Sequence, residues 1–238
     1  MPWPGVVTFD CYGTLIDWEG GIARAFEAAA ARAGVRLSRA EVLARYAEIE
    51  PRVQAEAYRP YREVLAETAR RVAAALGWSI TLEEAAFLPA SLPDWRPFPD
   101  TNPALERLAA WARLGILSNV DDDLLAGTLR HFPVAFPLLV TAQQVGSYKP
   151  APGHFLEARR RIGGETPWAH VAQSYFHDVV PARRLGLPVV WVNRKDEAVP
   201  PGGLWPTWEV RDLAEAVGRL ERVELPEIAG SADPEGSR

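Results

Sequence analysis

The sequence predicts an α/β fold, a parallel sheet with helices on both faces and a helical insert after the first strand. Two observations carry that prediction. From residue 103 to 220, short apolar runs rich in β-branched residues alternate regularly with segments of helical spacing, as in repeated β–α units. Before that alternation, one apolar run, Val6-Val7-Thr8-Phe9, stands alone and is followed by some eighty residues with no strand pattern. The first strand stops on a carboxylate, Asp10, and Gly13 then permits a tight turn with the Thr14 hydroxyl beside it. The carboxyl ends of parallel strands are where open α/β sheets bind ligands, so Asp10 is a candidate nucleophile or metal ligand; the plainer reading is a turn cap.

The elements follow in order. Gly20 to Gly34 is Ala-rich and helical. Ser38, three residues before Glu41, reads as a capping box opening a second helix, with Val42, Leu43, Tyr46 and Ile49 at helical spacing and Pro51 ending or kinking it. Arg62 to Leu76 resumes the helical pattern, and Thr81 opens a short further helix to Leu88. Several helices in succession exceed a single crossover. Residues 93–100, rich in proline, read as the return to the sheet. Helices are then expected at Pro103–Arg113, Asp121–His131, Pro152–Ile162, Asp178–Leu185 and Leu213–Leu220. Strands are expected at Leu114–Asn119, Leu138–Thr141, His170–Gln173, Val189–Val192 and Trp208–Val210. The expected division is a core of 1–16 and 96–222, a helical cap of 17–95, and a flexible tail of 223–238 rich in Gly, Pro, Ser and Glu.

Composition narrows the class of function. A net charge of −5 argues against a nucleic-acid partner, and the Arg pairs and triplets sit in helical stretches with acidic neighbours, as solvated faces do. One cysteine excludes an internal disulfide, and Cys11 reads as a small buried hydrophobe. No apolar run reaches the ~18–20 residues needed to span a bilayer. The start lacks the basic segment of a signal peptide, so a cytoplasmic location is expected. A homodimer is compatible with the sequence.

Phe9-Asp10-Cys11-Tyr12-Gly13-Thr14-Leu15-Ile16-Asp17 resembles motif I of the haloacid dehalogenase (HAD) superfamily, whose fold is a Rossmann-like core with a cap inserted after the first strand. Leu114 to Asn119 resembles motif II, Gly146-Ser147-Tyr148-Lys149-Pro150 motif III, and Ala172 to Asp178 motif IV. The resemblance runs to Arg222. Phosphatases of the superfamily carry a second Asp two residues after the nucleophile, as general acid; here that residue is Tyr12. They place acids in motif IV to hold Mg²⁺; here Gln173 matches the first and Asp178 the second. An amide is a poor ligand for a hard dication. Both departures agree with a metal-free displacement of a leaving group that needs no proton, so no cofactor is expected.

The resemblance therefore implies an (S)-2-haloacid dehalogenase. Asp10 would be the nucleophile, assisted by Thr14, Lys149, Asp178 and Ser174, and a short halogenated carboxylic acid would be the substrate. Tyr12, Ser118, Asn119, Tyr175 and His177 would line or bind it, with Ser118 on the carboxylate and Asn119 on the halide. An Arg of the cap would grip the halide; Arg45 is the best match, with Arg52, Arg59 and Arg62 as rivals. Lys149, on a loop, is expected to matter for activity and not for folding. Asp178 pairs with the motif III lysine in the family, or merely caps its helix. His177 is a candidate general base or an ordinary cap. Asp121-Asp122-Asp123 reads as the first turn of the following helix and not as a metal cluster. The chain departs from the dehalogenase pattern at Gln173-Ser174-Tyr175, at Phe155 and at His177, where the family has Ser-x-Asn, Tyr and Trp. An Mg²⁺-dependent phosphatase is the alternative.

Overall fold

The computed structural model describes residues 5–163 and 166–222. Six strands form one all-parallel sheet in the order β3-β2-β1-β4-β5-β6. They are β1 (Val6–Phe9), β2 (Arg113–Ser118), β3 (Leu138–Thr141), β4 (Trp168–Ala172), β5 (Val189–Val192) and β6 (Trp208–Val210). Strand order reverses at β1, flanked by β2 and β4, so the crevice at its carboxyl end is the natural ligand position.

Every residue of β1, β4 and β5 is buried, which is why these strands read as continuous apolar runs and not as alternations. Alternate residues feed two cores. Val7, Phe9, Ile116 and Val190 join the larger, with Leu105, Leu213 and the insert. Val6, Leu117, Val140 and Trp191 join the smaller, against Phe155, Ala158 and Val179.

The insert comprises α1 (Trp18–Arg32), α2 (Arg39–Gln54), α3 (Tyr61–Ala75) and the short α4 (Phe87–Ser91), with single 3₁₀ turns at Glu84–Ala86 and Leu92–Asp94. The core helices are α5 (Thr101–Ala109), α6 (Asp122–Leu129), α7 (Ala142–Val145), α8 (Gly153–Ile162), α9 (Val180–Arg184) and α10 (Leu213–Arg222). Among the described residues no helix is long and apolar enough to cross a membrane.

Several local expectations are corrected. Ser38 does precede α2, but its side chain makes no cap hydrogen bond, so that box is not formed. The box forms at Thr81, where the Glu84 carboxylate accepts from the Thr81 N–H (2.8 Å) and the Thr81 hydroxyl from the Glu84 N–H (3.1 Å); only a 3₁₀ turn follows it before α4. Pro51 lies inside α2, one turn from its end. The one-turn α7, capped by Thr141, has too few residues to show a period in the sequence. Motif IV opens with a π turn, Tyr175–Val179, before α9. The tail of 223–238 lies outside the described residues.

Asp121 is the sharpest correction. It precedes α6 yet gives that helix no side-chain bond. Its buried carboxylate turns to the insert and accepts from the backbone N–H of Tyr61 (2.8 Å) and Arg62 (2.9 Å), capping α3. The first free N–H groups of a helix attract a carboxylate from any direction, and here the accepting carboxylate comes from another element. Asp122 accepts from Thr141 and Gln144, and Asp123 pairs with Arg62.

Candidate active site

The carboxyl ends of β1, β2 and β4 and the inner wall of the insert enclose a cavity of about 460 Å³. Asp10 lies on its floor, 8% exposed. The chain leaving β1 turns back at once: Leu15 and Ile16 N–H donate to Cys11 O, and Gly13 N–H to Ile16 O. Gly13 has φ +100°, and a Cβ there would meet Trp18 and the Gln173 amide at 3.1 Å, so glycine is required. That turn brings the Thr14 hydroxyl to Asp10 Oδ2 (2.9 Å) while it accepts the Gln173 N–H (2.8 Å). Motifs I and IV are thus tied through one hydroxyl.

Lys149 is not a loop lysine at the surface; it is one of the largest fully buried side chains. Its ammonium donates to Asp10 Oδ1 (2.9 Å), Asp178 Oδ1 (2.6 Å) and Leu117 O (2.9 Å), using all three protons. Burial alone would lower its pKa, but the two carboxylates more than offset this and raise it. Asp178 is likewise buried, yet Lys149 and His170 hold its pKa down to about 2. Burial, joined by the like charge of Asp178, pushes Asp10 upward against Lys149 and Thr14. One ammonium serves two carboxylates, and Asp178 takes the shorter bond. Asp10 is the less stabilised of the two as an anion.

A buried chain of hydrogen bonds supports this trio. Trp168 Nε1–H donates to Thr8 Oγ1 (2.7 Å), Thr8 contacts His170 Nδ1 (2.9 Å), and His170 Nε2 contacts Asp178 Oδ1 (3.0 Å). One assignment that satisfies every member has Thr8 donating to Nδ1 and His170 donating from Nε2. Thr8, Trp168 and His170 were missed in the sequence because they sit in strands that read as apolar runs. The Thr–Trp–His set of polar residues, recurring on one face of adjacent strands, was the available signal.

The remaining predicted residues divide. Ser118 lines the cavity, is 1% exposed, and its hydroxyl has no partner among the described residues. Asn119 also lines it, but its amide clasps the backbone of Lys149 in both directions, N–H to Oδ1 (2.7 Å) and Nδ2 to O (3.1 Å). It positions the motif III loop before it binds anything. Tyr12 presents its ring, stacked edge-on against Trp95, while its hydroxyl bonds Thr128 (2.9 Å). Tyr175 is a wall of the cavity with its hydroxyl committed to Leu204 O (3.0 Å). Ser174 caps the π turn at His177 N–H (3.1 Å) and contacts His177 Nδ1 (3.0 Å); burial lowers the pKa of His177, so the ring is neutral and lines the cavity. Phe155 packs edge-on to His170 and supplies no hydroxyl. Cys11 is fully buried, as a small hydrophobe would be, and burial raises the pKa of its thiol.

Arg45 is not at the site. It lies on the exposed face of α2, bonded to Glu48 (3.1 Å), because its neighbour Tyr46, about 100° round the helix, takes the inward position. The rivals are also elsewhere: Arg52 pairs with Glu48, Arg59 with Glu56, and Arg62 with Asp121 and Asp123. The insert wall is built instead from Trp18, Tyr46, Glu50, Gln54, Tyr61 and Trp95. Glu50 was missed because the sequence was read for apolar spacing.

The Mg²⁺ site of the superfamily's phosphatases does not fit these residues. The Lys149 ammonium stands between Asp10 and Asp178, where a dication would be repelled, and Gln173 stands in place of the first acid.

Comparison with known families places this geometry. A model of the haloacid dehalogenase-like hydrolases matches residues 4–172. The chain belongs to that family. Among curated HAD relatives, (S)-2-haloacid dehalogenase H-109 of Pseudomonas putida is 30% identical, covering 90% of this chain and 96% of its own. Among solved HAD structures, L-2-haloacid dehalogenase from Xanthobacter autotrophicus with chloropropionic acid covalently bound superposes with a TM-score of 0.78 at 20% identity, covering 93% and 99%. A HAD-hydrolase of Bacillus subtilis bound to magnesium superposes as well, with a TM-score of 0.79 at 18% identity, covering 92% and 99%. The two structural likenesses establish the shared fold. This HAD hydrolase, like them, carries its helical insert after the first strand.

Proposed function

We propose that this HAD hydrolase displaces halide from C2 of a short (S)-2-haloalkanoic acid and gives the 2-hydroxy acid of inverted configuration. One observation carries the reading: the Asp10 carboxyl group is held by Thr14 and Lys149, while the residue two places on, Tyr12, has its hydroxyl tied to Thr128. A nucleophile is present, and the acid that a poor leaving group would demand is absent from motif I. Relatives named as (S)-2-haloacid dehalogenases, and the related enzyme seen with chloropropionic acid covalently bound, support the substrate class.

The substrate carboxylate accepts from the unpaired Ser118 hydroxyl and from backbone N–H groups. A carboxylate oxygen of Asp10 attacks C2 in line, the C–halogen electron pair leaves with the halide, and an aspartyl ester forms. Water then attacks the ester carbonyl of Asp10. Neutral His177 takes its proton and returns it to the departing alkoxide of the hydroxy acid, while Lys149 offsets the charge on the tetrahedral oxygen. The Asp10 carboxylic acid so formed gives its remaining proton, the second of the water, to solvent and returns to carboxylate.

A single turnover in H₂¹⁸O, with enzyme in excess over (S)-2-chloropropionate, tests the scheme. The expected product hydroxyl is unlabelled and the label enters Asp10. Label in the product at once, with Asp10 unlabelled, would mean direct attack by water and would end the covalent reading.

A further inference from the structure

The buried face of α2 is Val42, Tyr46, Glu50 and Val53, an i, i+4, i+8, i+11 stripe with a carboxyl on it. Glu50 lines the same cavity as Asp10. Gln54 and Tyr61 (3.4 Å) both donate to its Oε1, and among the described residues Oε2 has no hydrogen bond. Among the described residues no cation pairs with it. Arg45 and Arg52 of its own helix bind Glu48 outside, and Arg62 at the start of α3 binds Asp121 and Asp123. From the core, Lys149 is spent on Asp10 and Asp178, and Lys195 at the mouth is bonded to Glu19 (2.5 Å). The other titratable groups lining the cavity are Tyr12, Tyr46, Tyr61, Tyr175, His177 and Glu197, and Tyr148 lies near enough to Glu50 to feel its charge. A buried carboxylate without a counter-charge keeps its proton, and burial raises the Glu50 carboxyl to about 7. Beside it, the buried Tyr46 hydroxyl has no hydrogen-bond partner among the described residues either.

We propose that Glu50 is a catalytic residue of the insert wall, donating a hydrogen bond from Oε2–H to the halide as it leaves C2, with the Tyr46 hydroxyl as a second donor. The inference rests on the dehalogenase reading. The C–halogen electron pair goes to the halide, which stays an anion, and the proton stays on Glu50. Two neutral donors in a dry aromatic wall take the place of a cationic clamp. Ionised, Glu50 would repel the incoming carboxylate and the departing halide alike. The working form is therefore the neutral one, present below its pKa and lost as pH rises through it.

The test is bromide binding by calorimetry at pH 6 and pH 8, beside kcat/KM for (S)-2-chloropropionate over the same range. In the wild type both bromide affinity and kcat/KM should fall about tenfold between pH 6 and pH 8, the drop in the protonated fraction of one such group. In Glu50→Gln, which keeps a donor at every pH, the ratio should approach one. Tyr46→Phe, which breaks no hydrogen bond of the fold, should weaken bromide several-fold at both pH values. The inference is overturned by a bromide affinity that ignores pH in the wild type, by a pH dependence that survives in Glu50→Gln, or by a kcat/KM that rises through pH 7. If no haloacid is turned over at any pH, the dehalogenase reading fails on its own; bromide affinity still governed by Glu50 would then uphold Glu50 as an anion donor.

Discussion

At the scale of the residue, Ser118 and Lys149 give opposite expectations. Among the described residues the Ser118 hydroxyl has no hydrogen-bond partner, so Ser118→Ala should leave thermal stability unchanged. It should raise KM for a 2-haloacid about 10–100-fold, the worth of one hydrogen bond to a charged group. Steady-state kinetics with an unchanged KM would remove Ser118 from the substrate. Lys149→Ala should do harm twice. Loss of one electrostatic stabiliser costs about 10²-fold or more in kcat. Opening a buried pair also costs about 3–5 kcal/mol of stability, because two carboxylates are left facing each other. Without the ammonium their folded pKa values rise above the unfolded ones, so the deficit grows as pH rises. Thermal melts should show a smaller gap from wild type at pH 5 than at pH 8.

At the scale of the element, the Asp121 carboxylate is the joint between the sheet and the insert. It reaches from the end of β2 to the first two N–H groups of α3. Asp121→Ala should cost about 1–2 kcal/mol, in the range of a lost helix cap. Hydrogen exchange should quicken first at the Tyr61 and Arg62 amides, ahead of the strands. Asp121→Asn, which keeps an acceptor oxygen, should recover most of that protection. Equal exchange in wild type and Asp121→Ala would mean the insert is held by its packing alone.

At the scale of the whole molecule, the reaction is expected to run without a metal. Activity measured after exhaustive EDTA treatment should equal that before it; loss on chelation with recovery in Mg²⁺ would favour a phosphatase. Asp10→Asn should abolish turnover while leaving the fold intact, since the amide oxygen can still accept from Lys149 while its NH2 donates to the Thr14 hydroxyl. The sheet and the motif positions were legible in the sequence because Asp10, Ser118 and the residues after β4 all stand where an apolar run stops. Side-chain partners within helices were not. Arg45 and Tyr46 differ by one residue and by 100° of rotation, and a resemblance with a gap nearby does not fix that phase. Glu50 hid on a stripe read for apolar residues, and Asp121 hid because a cap was sought only within its own helix. Lys149 was placed on a loop, correctly, but loop position says nothing of a side chain that runs inward to two carboxylates.

Cys11 is the chain's one cysteine, fully buried in the turn that follows Asp10. It is therefore a built-in clock for the floor of the site. A thiol reagent can reach it only when the turn between β1 and α1 opens, so the rate of modification counts openings of that segment and of no other. No label has to be engineered for this. A ligand that seats against Asp10 should slow the clock, and one that merely rests at the mouth beside Lys195 should leave it running at the same rate.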